Sequence, residues 1–117
     1  MIAGRSQGIG AAIVTQAREA GHQVVFTGRN EAQIAALAKA TGAHGLRADV
    51  AVDADNGRTV EACVSVMGGI DVLINNAGTG YNAEIGALDI HAMRRLFATN
   101  VFGLVDLTNR VTPLMKA

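Results

Sequence analysis

The sequence has few of the features that are typical of secreted, membrane-bound or nucleic-acid-binding proteins. Its one cysteine, Cys63, excludes an internal disulfide and favours a reducing compartment. The 10 basic and 10 acidic residues cancel, which gives no electrostatic reason to expect nucleic acid or an anionic membrane as a partner. No apolar run approaches the roughly 18 residues of a membrane span, and the first residues lack the layout of a signal peptide. We therefore expect a cytoplasmic protein.

Aromatic residues and proline are also scarce. Aromatic residues make up 3% of the chain, and Pro113 is the single proline. Half of the residues are hydrophobic and 14 are glycine, so small aliphatic side chains dominate. This composition favours helices packed closely on a sheet over an aromatic-rich sandwich. At 117 residues, the chain is one domain at most.

Apolar, β-branched segments alternate with segments of helical periodicity. Strands are predicted over residues 22–27, 44–48 and 70–74. Helices are predicted over about 8–20 with an apolar face that includes Ile9, from Asn30 to Gly42, up to Gly68, and as one long helix over about 89–115. This alternation predicts a doubly wound parallel α/β sheet of the Rossmann type. Only Met1, Ile2 and Ala3 precede the first glycine, so we expect the first strand to be truncated.

A glycine-rich segment opens the first predicted helix. It reads Gly4, Arg5, Ser6, Gln7, Gly8, Ile9 and Gly10. Glycine allows close approach of a ligand to the backbone, and the unpaired amides and dipole of a helix start suit a diphosphate. The alternative is a plain glycine turn before a helix. No Gly-Lys-Ser/Thr follows, so the segment is not a P-loop.

Two further segments follow predicted strands and suggest a bound dinucleotide. At the end of the second strand Arg29 stands where an acidic residue would favour NAD, so we favour NADP(H), with Arg5 as a second cation, over NAD(H). Arg29 as a solvated loop cation is the alternative. After the third strand, Asp49 could accept from an adenine amino group while Val50 covers the ring. Equally, Asp49 could simply start a turn.

Two asparagine positions complete the pattern. Asn76, Ala77 and Gly78 follow the 70–74 strand, where small residues let a ligand sit against the main chain, although Asn and Gly are also common in turns. Asn100 lies in the apolar stripe of the long helix, and a buried amide needs partners. In isolation, a structural Asn bonded to backbone is the favoured interpretation. Nearby Gly103 would let another element pack closely.

The remaining polar residues give no site. The histidines are scattered without metal-ligand spacing, so we predict no metal. Tyr81 has no lysine four residues further on.

Taken in order, these motifs resemble the short-chain dehydrogenase/reductase family, and the match covers only the family's amino-terminal half. The resemblance implies that residues 4–10 hold a pyrophosphate, that Arg29 and Arg5 mark NADP(H), and that Asp49 and Val50 contact adenine. It implies that residues 76–78 line the adenosine ribose side and that Asn100 orders the water or lysine of a proton relay. The substrate would be a small carbonyl or alcohol, and the complete enzyme would be a homo-oligomer.

The departures from the family pattern limit these expectations. Ala3 replaces the usual threonine, and the catalytic Ser and Tyr-x-x-x-Lys of the family do not occur. We therefore expect residues 1–117 to be a partial NAD(P)-binding domain, inactive alone, with a truncated first strand and without the carboxyl-terminal half. A short central strand also predicts marginal stability or self-association. The alternative function is a non-catalytic dinucleotide-binding or interaction module.

Overall fold

A four-stranded parallel sheet forms the centre of the molecule. The computed structural model describes residues 1–4 and 8–115, and the strand order is β3-β2-β1-β4. The strands are β1 (Ile2–Ala3), β2 (Val25–Gly28), β3 (His44–Arg47) and β4 (Ile74–Asn75). The helices are α1 (Gly8–Glu19), α2 (Glu31–Thr41), α3 (Asp53–Met67), α4 (Ile90–Phe97) and α5 (Leu104–Met115). The predicted parallel α/β architecture is confirmed.

Strand β1 lies between β2 and β4, as predicted for the first strand of a doubly wound sheet. Ile2 pairs with Phe26 on one side and with Ile74 on the other. Strand β4 is shorter than the predicted 70–74 segment because β1 offers only Ile2 and Ala3 as ladder partners in this register. Ile70 is nevertheless buried, so its apolar character reflects core packing without strand pairing.

Side chains alternate between the two faces of the sheet and divide the core into two clusters. Ala3 and Val25 belong to one cluster with Cys63 of α3 and with Leu107 and Val111 of α5. The other cluster contains the neighbouring strand residues together with residues of α1 and α2, namely Ile2, Val14, Val24, Phe26, Ile34 and Ala43. Helices therefore cover both faces of the sheet.

The ends of α2 and α3 follow the predicted capping residues. Asn30 Oδ1 accepts a hydrogen bond from the Gln33 amide, and Gly42 and Gly68 end their helices in the left-handed conformation with φ of 77°. The predicted apolar face of α1 is wrong at Ile9, which is 73% exposed. Gly10 and Val14 are the buried residues of that helix.

The predicted long helix over residues 89–115 is interrupted. Helix α4 ends at Phe97, a π-helical segment spans Ala98–Gly103, and α5 then begins at Leu104. Asn100 therefore lies within the π segment and not in a regular helix. Such segments are rare in proteins and are frequent at functional sites.

Among the residues that the structure describes, none of the helices has both the length and the sustained apolar character that a bilayer span requires.

Candidate functional site

The carboxyl ends of the strands surround a cavity of about 210 Å³. In parallel α/β sheets this is the edge at which ligands bind. The lining residues come from strand ends, the loops that follow them, the first turn of α2 and the π segment: Gly4, Thr27, Arg29, Asn30, Gln33, Ala48, Asp49, Val50, Ala77, Gly78, Thr79 and Thr99. The structure thus brings together the first glycine, Arg29, the Asp49–Val50 pair and the segment after β4.

Gly4 is closely surrounded at the end of β1. Its φ is +150°, and a Cβ atom added to it would lie 2.8 Å from the Asn76 carbonyl carbon and 2.9 Å from the Ala77 nitrogen. The Asn76 amide donates to the Ala3 carbonyl at 2.8 Å, which fixes the two strand ends side by side. The Gly4 amide also donates to Oγ1 of buried Thr27 at 3.3 Å. Glycine is therefore required here by both conformation and space.

The last three residues of the glycine segment, Gly8, Ile9 and Gly10, open α1. Arg5, Ser6 and Gln7 lie outside the described residues. Gly8 (φ +61°) and Ile9 are exposed, and Gly10 is buried. None of these last three lines the cavity, so of the described residues in this segment only Gly4 does. No acidic residue lies in the first turn of α1, which leaves the positive end of its dipole uncompensated there.

Arg29 is exposed and lines the cavity directly after β2. It makes no hydrogen bond or ion pair with any residue in the described ranges. Glu31, the nearest carboxylate in sequence, instead faces Arg47, with 4.0 Å between Arg47 Nε and Glu31 Oε1. The Arg29 guanidinium is therefore available to an anionic ligand.

Asp49 is half-buried and forms a turn directly after β3. Its Oδ1 accepts from the Ala51 amide at 2.9 Å, as in a turn-initiating aspartate. The Asp49 amide donates to Asp55 Oδ2 at 2.8 Å, and this bond, with the Arg58 side chain, lowers the pKa of Asp55. Asp49 Oδ2 accepts no hydrogen bond from the described residues. The turn therefore uses one carboxylate oxygen and leaves the other for a ligand.

Asn56 is a buried polar residue behind this turn that belongs to none of the sequence motifs. Its side chain belongs to a residue only 2% exposed, and its Nδ2 donates to the Val50 carbonyl at 2.9 Å and to Asp106 Oδ2 at 2.8 Å. Arg110 Nε donates to the same Asp106 oxygen at 3.1 Å. The Asn56 bond, followed by the Arg110 bond, lowers the pKa of Asp106. Helical spacing could have indicated that Asn56 is buried, since it precedes apolar Val60 by four residues and so shares its helix face.

Asn100 bonds the segment after β4 through both ends of its amide. Its Oδ1 accepts from the Thr79 amide at 2.8 Å, and its Nδ2 donates to the Thr79 carbonyl at 2.7 Å. An added Cβ on Gly78 would lie 3.5 Å from Asn100 Oδ1. The side chain is therefore a satisfied, half-buried amide that holds part of the cavity wall.

Gly103, at the other end of the π segment, contacts the Asp49–Val50 turn. A Cβ atom on Gly103 would lie 2.4 Å from the Val50 carbonyl oxygen, which is too close for any side chain. The prediction that this glycine allows close packing is confirmed. The π segment therefore touches the cavity wall on two sides, through Asn100 at Thr79 and through Gly103 at Val50.

A parallel sheet that carries helices on both faces and a cavity at its carboxyl edge is an α/β fold of the Rossmann type. The profile of the family described as short chain dehydrogenase matches residues 1–117. The chain belongs to the short-chain dehydrogenase/reductase family of oxidoreductases.

Characterised and solved relatives extend well beyond this chain. Human retinol dehydrogenase 8 (Homo sapiens) is 38% identical over 122 residues, which cover 99% of this chain and 39% of the relative. A 3-ketoacyl-(acyl-carrier-protein) reductase from Brucella melitensis, solved with NADH, superposes with a TM-score of 0.94 at 30% identity. The match covers 98% of this chain and 49% of the reductase. L-sorbose reductase from Gluconobacter frateurii, solved with NADPH and L-sorbose, gives a TM-score of 0.85 at 30% identity. That match covers 98% of this chain and 47% of the L-sorbose reductase. The chain spans less than half the length of these relatives.

Proposed function

We propose that this chain forms the dinucleotide-binding part of an NADP(H)-dependent oxidoreductase that reduces a small carbonyl compound or oxidises the corresponding alcohol. The observation that carries the proposal is the strand-end cavity, in which Gly4, Arg29 and Asp49 meet. A bound nicotinamide cofactor would supply or accept the hydride. The residues described here would bind and orient its adenosine half.

The glycine segment suits the pyrophosphate. Gly4 leaves no side chain between β1 and the Asn76–Ala77 backbone, and the first turn of α1 carries no carboxylate to repel an anion. We propose that residues 4–10 contribute the backbone amides of this subsite. This part of the proposal includes Arg5, Ser6 and Gln7 on the strength of the sequence pattern alone.

Arg29 supports NADP(H) over NAD(H). The side chain directly after β2 faces the ribose of an adenosine in folds of this type, and a carboxylate there would accept from a 2′-hydroxyl but repel a 2′-phosphate. Here the position carries a guanidinium free of ion pairs among the described residues, which would attract the phosphate. Relatives solved with NADH and with NADPH both resemble this chain, so the preference depends on Arg29 itself.

The other cavity residues complete the adenosine subsite in this proposal. Asp49 Oδ2 would accept from the adenine amino group, Val50 would cover the ring, and residues 76–78 would line the ribose side. Asn100, which already orders Thr79, would contribute to the proton relay of the complete enzyme. We also propose that the complete enzyme is cytoplasmic and a homo-oligomer. The exposed apolar side chains of the π segment and α5, among them Phe102 at 68% exposure, support the second part.

The test is a fluorescence titration of the chain with NADPH and with NADH, for wild type and for Arg29→Asp. We expect wild type to prefer NADPH, and the substitution to reduce that preference about tenfold or more, since a hydrogen bond to a charged group contributes about 1.5–3 kcal/mol. Arg95→Asp is the matched control because Arg95 is an exposed arginine of α4 away from the cavity lining. An unchanged preference in Arg29→Asp would refute the assignment, and a wild-type chain that binds neither nucleotide would refute the proposed function.

A further inference from the structure

The Asp49–Val50 turn is held from behind by two residues that do not line the cavity. Asn56 of α3 donates to the Val50 carbonyl at 2.9 Å. On the other side, Gly103 leaves just enough space for that carbonyl, because any side chain there would overlap it. The carbonyl oxygen is thus fixed between α3 and the π segment.

Asn56 has little freedom to move away from this position. It is 2% exposed, and its amide nitrogen is shared between Val50 and Asp106 Oδ2. Asp106 is in turn held by Arg110 one helical turn later, through bonds of 3.1 and 3.2 Å. A buried amide with two oriented acceptors has one low-energy orientation, so α5 fixes the rotamer of Asn56 and Asn56 fixes Val50.

Asp49 depends on the same support. Its carboxylate orientation is set by the Ala51 amide at Oδ1, and its backbone amide is bound by Asp55. The first bond lies within the turn and the second ties the turn to α3, and Asn56 of the same helix holds the carbonyl of the next residue, Val50. If the Val50 carbonyl were released, the peptide between Val50 and Ala51 could rotate, and the Ala51 amide would no longer orient Oδ1.

We propose that Asn56 is a positioning residue for base recognition: by fixing the Val50 carbonyl it directs Asp49 Oδ2 and the Val50 side chain toward a nucleotide base that carries an exocyclic amino group. This inference rests on the proposed function, since it requires that the cavity bind an adenine nucleotide. It goes further by assigning base selectivity to a residue that does not line the cavity.

The test compares the dissociation constants of NADPH and of its deamino analogue, reduced nicotinamide hypoxanthine dinucleotide phosphate. The analogue replaces the adenine amino donor with an oxygen acceptor, which would face the Asp49 carboxylate. We expect wild type to favour NADPH about tenfold, the equivalent of one charge-assisted hydrogen bond. In Asn56→Ala the ratio should fall toward one, with the larger change in the affinity for NADPH.

Three further variants separate positioning from general destabilisation. Asp106→Ala leaves Asn56 without its second acceptor and should lower the ratio in part, whereas Asp106→Asn retains an acceptor oxygen and should restore it. Val24→Ala removes core volume at the opposite end of the sheet and should lower stability while it leaves the ratio at the wild-type value. If Asn56→Ala does not fold, Asp106→Ala, whose side chain is partly exposed, provides the same comparison.

Each outcome decides the inference. A ratio that falls in Asn56→Ala or Asp106→Ala but not in Val24→Ala supports it. A wild-type ratio retained in both of the first two variants, or lost equally in Val24→Ala, overturns the inference and leaves the proposed function intact. A wild-type chain that does not distinguish the two nucleotides, or binds neither, overturns the proposed adenine contact and the Asn56 inference with it.

Discussion

Asn100 pairs with the backbone of Thr79 through two hydrogen bonds, one in each direction, at 2.8 and 2.7 Å. Strand β4 ends at Asn75, and Thr79 has no strand partner among the described residues. The Asn100 side chain supplies the two backbone hydrogen bonds that such a partner would make. This explains how an amide can lie in an otherwise apolar stripe without being unsatisfied.

Replacement of Asn100 by alanine should destabilise the fold. Asn100→Ala removes both bonds and leaves the Thr79 amide and carbonyl unpaired in a partly buried position, so the free energy of unfolding should fall by about 1–3 kcal/mol. Urea denaturation followed by circular dichroism measures the change. Asn109→Ala, at an exposed site on α5, is the control and should change stability little. Equal effects at both positions would contradict the role of the Thr79 pairing.

Replacement of Gly4 by alanine should destabilise the fold more than a typical glycine substitution. Its φ of +150° is strained for an L-residue, and the new Cβ would lie 2.8 Å from the Asn76 carbonyl carbon. We expect a loss of about 2 kcal/mol or more in the free energy of unfolding. Gly80→Ala is the control because no atom of the described residues lies within 4 Å of its added Cβ. A Gly4→Ala chain as stable as Gly80→Ala would show that the two strand ends do not meet as described.

Substitution by alanine should change the free energy of unfolding in opposite directions at Gly103 and Gly57, although both glycines lie in helical segments. Gly103→Ala places a Cβ 2.4 Å from the Val50 carbonyl oxygen, and the overlap should lower the free energy of unfolding by about 1–3 kcal/mol. Among the described residues, the Cβ of Gly57→Ala meets only Arg110 Nη1 at 3.5 Å, an ordinary contact. This substitution should raise the free energy of unfolding by about 0.5–1 kcal/mol through helix propensity. Thermal and urea unfolding of the pair give the signs. A gain in both variants would exclude the contact between the π segment and Val50.

Acid should weaken the fold through Asp106 and Asp55. The pKa of Asp106 is lowered by the hydrogen bonds from Asn56 and Arg110, and that of Asp55 by the bonds from the Asp49 amide and Arg58. A carboxylate with a lowered pKa in the folded state adds stability that is fully present above the unfolded pKa of about 3.9 and is lost as the pH falls through the lower, folded pKa. The free energy of unfolding should therefore decline as the pH drops below about 4.

Urea titrations over this pH range measure the decline, and Asp106→Asn should make it shallower because one of the two groups no longer titrates. Asp89→Asn is the control, since Asp89 is an exposed helix cap away from this network. A slope unchanged by Asp106→Asn would mean that Asp106 does not contribute to the acid sensitivity.

The strand-end cavity was predictable because it depends on local signals and one topological rule. Strands and helices alternate in the sequence, and the carboxyl ends of parallel strands meet at one edge, so Gly4, Arg29 and Asp49 had to approach each other. The helix ends were also predictable, since Asn30 and Gly42 act through bonds to residues three or four positions away.

Features that depend on distant partners were not predictable in the same way. The start of β4 depends on its register with β1, in which Ile74 pairs with Ile2. Residues 70–74 alone do not determine that register. Ile9 fits an apolar helix face in the sequence but points outward because Gly10 and Val14 meet the sheet. The role of Asn56 depends on Asp106, 50 positions further along the chain.

The π segment was missed because apolar residues continue at helical spacing on both sides of it. Its consequence concerns phase. An α-helix turns by about 100° per residue. The wider π turn takes up one extra residue. The residues after Gly103 are therefore rotated by about that angle from the positions they would have if α4 continued without interruption. One helical stretch thereby serves two purposes: Asn100 bonds to the Thr79 backbone after β4, while Leu107 and Val111 are buried in the core cluster with Ala3 and Val25.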